Sequence, residues 1–266
     1  MRTKNLYNQD AKYRVSTGQI EKLVFNIYDN RGLMGEAVAK TVCEKINRLL
    51  EKQEFVNMIF AAAPSQNEFL AALCNDASVN WARVNAFHMD EYTGLPKNAR
   101  QAFGWFLKRK IFDRLPFYSV NLLDGNAADP DAECKRYAGL LHRFPPDIVC
   151  MGIGENGHIA FNDPHVADFN DPAMVKMVTL DLPCRQQQVN DGCFAELNQV
   201  PTRALTLTVP ALMAGSFIYC IVPGEKKTTA VYNTLYKDII AEYPSSILRS
   251  HPHAILFLDK NSSALL

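Results

Sequence analysis

Two stretches of the chain place proton-transferring side chains where an apolar run gives way to a loop. In the first, Asp147-Ile-Val-Cys-Met151 breaks into Gly152, Gly154 and Gly157, followed at once by His158, with Asn156 and Asp163 on either side. A histidine exchanges protons near neutral pH, and a neighbouring carboxylate fixes its tautomer and supports its charged form. In the second, Val84-Asn-Ala-Phe-His-Met89 runs into Asp90-Glu91 and then Tyr-Thr-Gly-Leu-Pro96. A carboxylate at a strand end suits a general base. Adjacent residues on a strand point to opposite sides, so only one of Asp90 and Glu91 is expected to face a given pocket. A third stretch, Val222-Pro-Gly-Glu-Lys-Lys-Thr228, sets Lys227 at a strand-to-helix junction, where helix N–H groups and a lysine together favour an anion. Read singly, each has an ordinary structural explanation: a histidine satisfied by backbone, a solvated strand end, a solvated lysine pair.

Gly152, Gly154 and Gly157 match the spacing of a dinucleotide-binding fingerprint, but that fingerprint requires a helix to open at the third glycine within the first strand-helix-strand unit. Here Asn162-Asp163-Pro164 follows within a few residues. A nicotinamide or flavin site is therefore rejected, and Gly154 and Gly157 read as loop positions that let backbone N–H groups approach a ligand oxygen. The seven cysteines include no Cys-x-x-Cys pair, and His88, Asp90 and His158 match no metal-ligand spacing, so no metal site and no cofactor is expected.

The elements needed to hold these loops can be read from the pattern. A helix is expected from Asn30, with Met34, Val38, Val42, Ile46 and Leu49 or Leu50 on one face. A strand is expected at Phe55 to Ala61, then a helix from Ser65 with Ser65 and Glu68 as a capping box. Strands at Val84–Met89, Val120–Leu123 and Ile148–Met151 alternate with helices at Ala99–Asp113 and Asp131–Arg143. Val175–Leu180, Ala204–Val209, Ser216–Val222 and Ala254–Leu258 are further strand candidates, with a helix from Glu225 to Lys237. This alternation predicts an α/β fold: a single domain over residues 1–266, with a doubly wound, mostly parallel sheet, Rossmann-like, and helices on both faces. The polar residues 1–20 read as an N-terminal arm or edge element. In such sheets ligands bind at the carboxyl ends of the strands, where both proton-transferring stretches fall.

Lysine plus arginine equal aspartate plus glutamate at 28 each, so no global field favours nucleic acid or a membrane surface, and neither is expected as a partner. With no apolar leader and no run long enough to span a bilayer, the chain reads as cytoplasmic.

Taken together, Phe87-x-Met-Asp-Glu-Tyr-x-Gly-Leu-Pro96, Asn121-Leu-Leu-x-Gly-Asn126, Gly152-x-Gly-x-Asn-Gly-His-Ile-Ala-Phe-Asn162, Asn198-Gln-Val-Pro201, the Gly224–Lys227 turn and His251-Pro-x-Ala-Ile255 resemble the glucosamine-6-phosphate deaminase (isomerase) family. The sugar-phosphate lactonase branch of the same superfamily is not expected to carry Met-Asp-Glu-Tyr or Ile-Ala-Phe-Asn. The resemblance implies an amino-sugar-phosphate isomerase/deaminase that needs no metal or redox cofactor, with a small-molecule sugar as partner and self-association as in many family members. It implies that Asp90 shuttles a proton between C2 and C1 of the opened sugar. His158 opens the ring with help from Asn156 and Asp163, and Lys227 helps hold the phosphate.

The chain departs from the family at four places, the first of them the amide Asn156, a variation some members share. Asp163 stands where the family has glutamate. The family's Pro-Thr-Gly-Gly-Thr-Pro phosphate loop is here Ala61-Ala-Ala-Pro-Ser-Gln66, leaving Ser65 as the hydroxyl candidate. Asn190 aligns with the phosphate-binding arginine, with Arg185 near it. Ser65, Glu91, Gly154, Gly157, Arg185 and Lys227 are therefore the expected substrate contacts. The altered loop leaves two further expectations open: the same mechanism on a different or unphosphorylated sugar, and a sugar-phosphate sensor without turnover.

Overall fold

The computed structural model describes residues 14–96 and 98–266. Its main sheet contains, in chain order, β1 (Arg14–Ile20), β2 (Leu23–Tyr28), β3 (Val56–Phe60), β4 (Val84–His88), β6 (Ser119–Asn121), β7 (Ile148–Met151), β10 (Phe217–Val222) and β11 (Ala254–Asp259). The spatial order is β1-β2-β11-β10-β7-β3-β4-β6, and every pairing except β1 with β2 is parallel. A second, antiparallel sheet has β9 (Arg203–Leu207) between β5 (Asp90–Tyr92) and β8 (Val175–Thr179).

The helices are α1 (Arg31–Leu50), α2 (Asn67–Asn75), α3 (Phe103–Leu107), α4 (Pro130–Arg143), α5 (Leu182–Asn190), α6 (Val209–Met213) and α7 (Thr228–Tyr236). Helix α1 starts where Asn30 caps it by accepting from the Leu33 N–H, and its Met34, Val38, Val42 and Ile46 are buried. Among the parallel strands, β4, β7 and β11 are buried at every position, as a sheet sandwiched by helices requires, while β6 at the edge is not. Apolar cores form on the two sides of the sheet: Val38, Val42, Met58, Phe60 and Tyr219 belong to one, and Ile59, Phe87, Val149, Met151 and Cys220 to the other.

The expected α/β, mostly parallel architecture is the one observed, and three local expectations change. Of the polar segment 1–20, read as an arm or edge element, residues 1–13 lie outside the described residues, while Arg14–Ile20 is an edge strand, paired with the unforeseen β2. The Ser65/Glu68 capping box does not form. Pro64–Gln66 make a single 3-10 turn, Ser65 Oγ faces Gln66 Nε2 at 3.1 Å, and Glu68 is drawn off to Arg31 at 2.7 Å. The helix expected over Ala99–Asp113 is a short α3 that widens into a π turn over Lys108–Phe112. The Val175 and Ala204 strands belong to the small antiparallel sheet, because the chain leaves the main sheet at Met89 and Asp90 pairs with Thr206.

Candidate active site

The loops at the carboxyl ends of β3, β7 and β10, together with β5 and α5, enclose a cavity of about 390 Å³. Asp90, His158, Ser65, Gly154 and Lys227 all line it; Arg31, Gln66, Gln187, Gln188 and Asp191 complete its polar wall.

His158 is set by the loop after β7. Gly157 turns the chain at φ +89°, a conformation that favours glycine, and donates its N–H to the Gly154 carbonyl at 3.0 Å. Gly154 leaves room for the imidazole: a Cβ there would lie 2.2 Å from His158 Cε1. The ring is oriented from behind. Its Nδ1 lies 2.7 Å from Asn156 Oδ1 and 3.0 Å from Asp163 Oδ1, and Asn156 Nδ2 donates to that same Asp163 oxygen at 2.9 Å. Both groups facing Nδ1 are acceptors, so Nδ1 carries the proton and Nε2 is the atom available to a ligand. Burial opposes charge on Asp163, but His158, Asn156 and Cys184 outweigh it and hold the carboxyl below the usual range. The loop is fixed to the small sheet by Thr206 Oγ1, which accepts the Phe161 N–H at 3.0 Å, and by Asn162, whose Nδ2 donates to the Leu207 carbonyl at 2.8 Å.

Asp90 reaches the same cavity from β5. It is buried, and its carboxyl is pushed well above the usual range, first by loss of solvent and then by the neighbouring Glu91 charge. Glu91 points the other way. Its Oε1 accepts the N–H groups of Tyr92 (2.9 Å) and Phe103 (3.0 Å), and its Oε2 accepts that of Gly104 (2.8 Å). Glu91 thus holds the start of α3 and does not line the cavity, contrary to its expected role as a substrate contact.

The far end of the cavity is mixed in charge. Lys227 is buried, and loss of solvent lowers its pKa while Asp191 and Glu155 work in the opposite direction. Glu225, Lys226 and Asp191 lie with it, and Arg31 also lines the cavity. Arg185 does not reach it: its guanidinium donates to the carbonyls of Leu197 (2.7 Å) and Val200 (2.9 Å), tying α5 to the segment that follows. Gly157 also lies outside the cavity lining, so its part is to shape the turn.

Sequence reasoning missed the contributions of α5 and of Gln66. Helix α5 has no apolar stripe to announce it; the available signal was Asp181 followed by Pro183, an N-cap with proline in the first turn. Two sets of potential metal-ligating atoms lie within 4.8 Å of one another among the described residues: His158, Asp163 and Cys184, and Asp163, His165 and Asp181. In the first, Nδ1 is engaged by Asn156 and Asp163, and burial drives the Cys184 thiol far up, so that it stays protonated. That chemistry suits hydrogen-bonded support for the histidine, and no metal is assigned.

Residues 29–256 match the family model described as glucosamine-6-phosphate isomerases/6-phosphogluconolactonase. The chain belongs to this family. It is therefore a member of an enzyme superfamily of carbohydrate metabolism that acts on sugar phosphates. It is 34% identical over 184 residues to a glucosamine-6-phosphate deaminase of Bacillus cereus (strain G9842), covering 69% of this chain and 68% of that protein. A glucosamine-6-phosphate deaminase of Bacillus thuringiensis (strain Al Hakam) is 34% identical over the same shares. Among solved structures, a monomeric glucosamine-6-phosphate deaminase superposes with a TM-score of 0.83 at 24% identity, covering 92% of this chain and all of that one. The 6-phosphogluconolactonase of Thermotoga maritima gives a TM-score of 0.73 at 18% identity, covering 90% of this chain and 100% of that one. These likenesses establish the fold. No helix among the described residues is long and apolar enough to cross a membrane.

Proposed function

We propose that the protein is an amino-sugar-phosphate isomerase/deaminase that converts glucosamine 6-phosphate to fructose 6-phosphate and ammonia. The observation that carries this reading is the placement of Asp90 and His158 on one cavity, from two different sheets, with only the histidine held by a hydrogen-bonded relay. His158, proton-bearing at Nδ1, uses Nε2 to move a proton at the ring oxygen and so opens the sugar. Asp90, a buried carboxylate whose affinity for protons is raised, takes the proton from C2 and returns it to C1. The aldose with an amine at C2 becomes a C2 imine, and water replaces the nitrogen to give the ketose and ammonia. Lys227, Ser65 and Arg31 line the end where the phosphate would sit. Hydrolysis of a phosphogluconolactone would use a proton-transferring histidine but leaves Asp90 without a task.

A second reading, the same proton transfer on a different or unphosphorylated sugar, is supported by the carboxylates of Asp191 and Glu225 at the cation end and by Ala61–Ala63 in its loop. The test is to follow ammonia and ketose formation with glucosamine 6-phosphate and glucosamine, and acid formation with 6-phosphogluconolactone, with Asp90→Asn as control. Turnover of glucosamine 6-phosphate that disappears in Asp90→Asn supports the first reading. Turnover of the unphosphorylated sugar at equal kcat/KM favours the second. Lactone hydrolysis unaffected by Asp90→Asn overturns both. Binding of a sugar phosphate with no reaction of any substrate identifies a sensor.

A further inference from the structure

Asp163 is fully buried, and its two oxygens are served unequally. Oδ1 receives Asn156 Nδ2 at 2.9 Å and faces His158 Nδ1 at 3.0 Å, whereas Oδ2 has no hydrogen-bond partner among the described residues. A buried carboxylate oxygen left without a donor costs about 1–3 kcal/mol or more, so its surroundings have to supply one. The side chain that faces this carboxylate is Cys184, itself buried, in the first turn of α5. The ligating atoms of His158, Asp163 and Cys184 lie within 4.8 Å of one another.

We propose that Cys184 is a positioning residue whose S–H donates to the Asp163 carboxylate, tying helix α5 to the carboxylate that orients His158. Asp181 pins this end of the helix by accepting the Cys184 N–H at 2.7 Å. One turn beyond Cys184, the same helix brings Gln187 and Gln188, both buried, onto the cavity wall, and Asp191 follows at its end. One rigid element therefore touches the ligand space at its far end and the histidine relay at its near end. The thiol stays a donor because burial first, and then the charges of Asp163, Asp181 and Asp90, oppose its ionisation. The groups around Asp163 are His158 and Asn156 on its own loop, His165 two residues further on, and Asp181 and Cys184 at the start of α5.

The experiment compares Cys184→Ala, which removes the donor, with Cys184→Ser, which keeps one, in the full chain. Two quantities are read: the midpoint of the His158 ring titration by NMR, and kcat and KM for ammonia release from glucosamine 6-phosphate. Relieved of one donor, the carboxylate attracts the imidazolium more strongly. The midpoint is therefore expected to rise in Cys184→Ala and to return toward wild type in Cys184→Ser. Turnover is expected to fall about 10-fold in Cys184→Ala with little change in KM, the usual loss when an outer partner of a functional histidine is removed. An unchanged or lowered midpoint in Cys184→Ala, or Ala and Ser variants that behave alike, overturns the proposal. If Cys184→Ala does not fold, Cys184→Val against Cys184→Thr makes the same comparison at nearly constant volume. The kinetic arm rests on the proposed function. The titration arm does not, so a chain that turns over no sugar phosphate but shows the shifted midpoint keeps this inference and loses the other.

Discussion

The two ends of the cavity are built differently. At the proton-transfer end, His158 is fixed by Asn156 and Asp163 at hydrogen-bond distance, Gly154 is shaped to its ring, and Asp90 is set by pairing with Thr206. At the cation end, Lys227, Lys226 and Arg31 share space with Asp191 and Glu225. Part of their bonding is spent inside the protein: Lys226 on the Asn190 carbonyl at 3.3 Å, Arg31 on Glu68 at 2.7 Å. The first end admits little geometric freedom and so commits the protein to one kind of chemistry. The second holds its charges on long side chains that can exchange partners, so it governs which molecule is brought to that chemistry. Variants at the first end should therefore strike kcat, and variants at the second KM.

The largest expected effect is that of Asp90→Asn, a drop of about 10²–10⁴-fold in kcat, the range for loss of a general base. The same variant should melt a few degrees higher. Burial raises the Asp90 pKa, so its charged form opposes folding, and removing that charge is expected to stabilise the protein. If Asp90→Asn instead lowers KM selectively and spares kcat, the division between the two ends is wrong.

Next in size is Asp163→Asn, expected to lower kcat by about 10²-fold and also to destabilise. The folded-state pKa of Asp163 is depressed, so its ionised form contributes stability above the unfolded aspartate value of about 3.9 and loses it as pH falls through the folded value. Thermal melts should therefore show wild type losing its advantage over Asp163→Asn as the solution is acidified below about pH 4. At the other end, Lys227→Ala should raise KM for a phosphorylated sugar by about 10–100-fold, the loss of a charge-assisted contact, with kcat held within a few-fold. Equal KM for phosphorylated and unphosphorylated sugar in the wild type would remove the phosphate from that end.

The smallest effect concerns pH. Turnover that needs ionised Asp90 should fall on the acid side through a midpoint above the ordinary carboxylate value, since desolvation and Glu91 both raise it. Glu91→Gln removes the second cause, so the acid limb should move to lower pH. A limb that stays in place in a correctly folded Glu91→Gln protein would assign the rise to burial alone.

The main sheet was legible because β3, β4, β7, β10 and β11 are short apolar runs, each punctuated by turn residues, and α1 and α4 carry clear caps or periodicity. Strand β2, Leu23-Val-Phe-Asn-Ile-Tyr28, escaped notice beside the polar residues preceding it, although it lies in the sheet between β1 and β11. Pattern could not reveal the second sheet, because β5 has only three residues and its partner β9 follows more than a hundred positions later. At the site, Asp90 and His158 were readable from residue type at strand ends. Strand alternation said that Asp90 and Glu91 diverge but could not say which enters the cavity; the backbone donors of α3 settle that by capturing Glu91. Arg185 was misjudged for a similar reason: the carbonyls of Leu197 and Val200 drew it to a structural task. The glutamine-rich helix α5 carries too little apolar periodicity to be seen as a helix at all.

The chain crosses from the large sheet to the small one at Met89, and the two candidate acid-base residues fall on opposite banks of that crossing: Asp90 is a strand residue of the small sheet, while His158 hangs from β7 of the large one. For anyone recombining this protein with a relative, that makes the seam a hazard. A cassette cut to exchange the small sheet would carry off Asp90 and leave His158 behind. Chimeras will keep a matched pair only if the loop from Gly152 to Asp163, stitched to β9 through Thr206 and Leu207, travels with it.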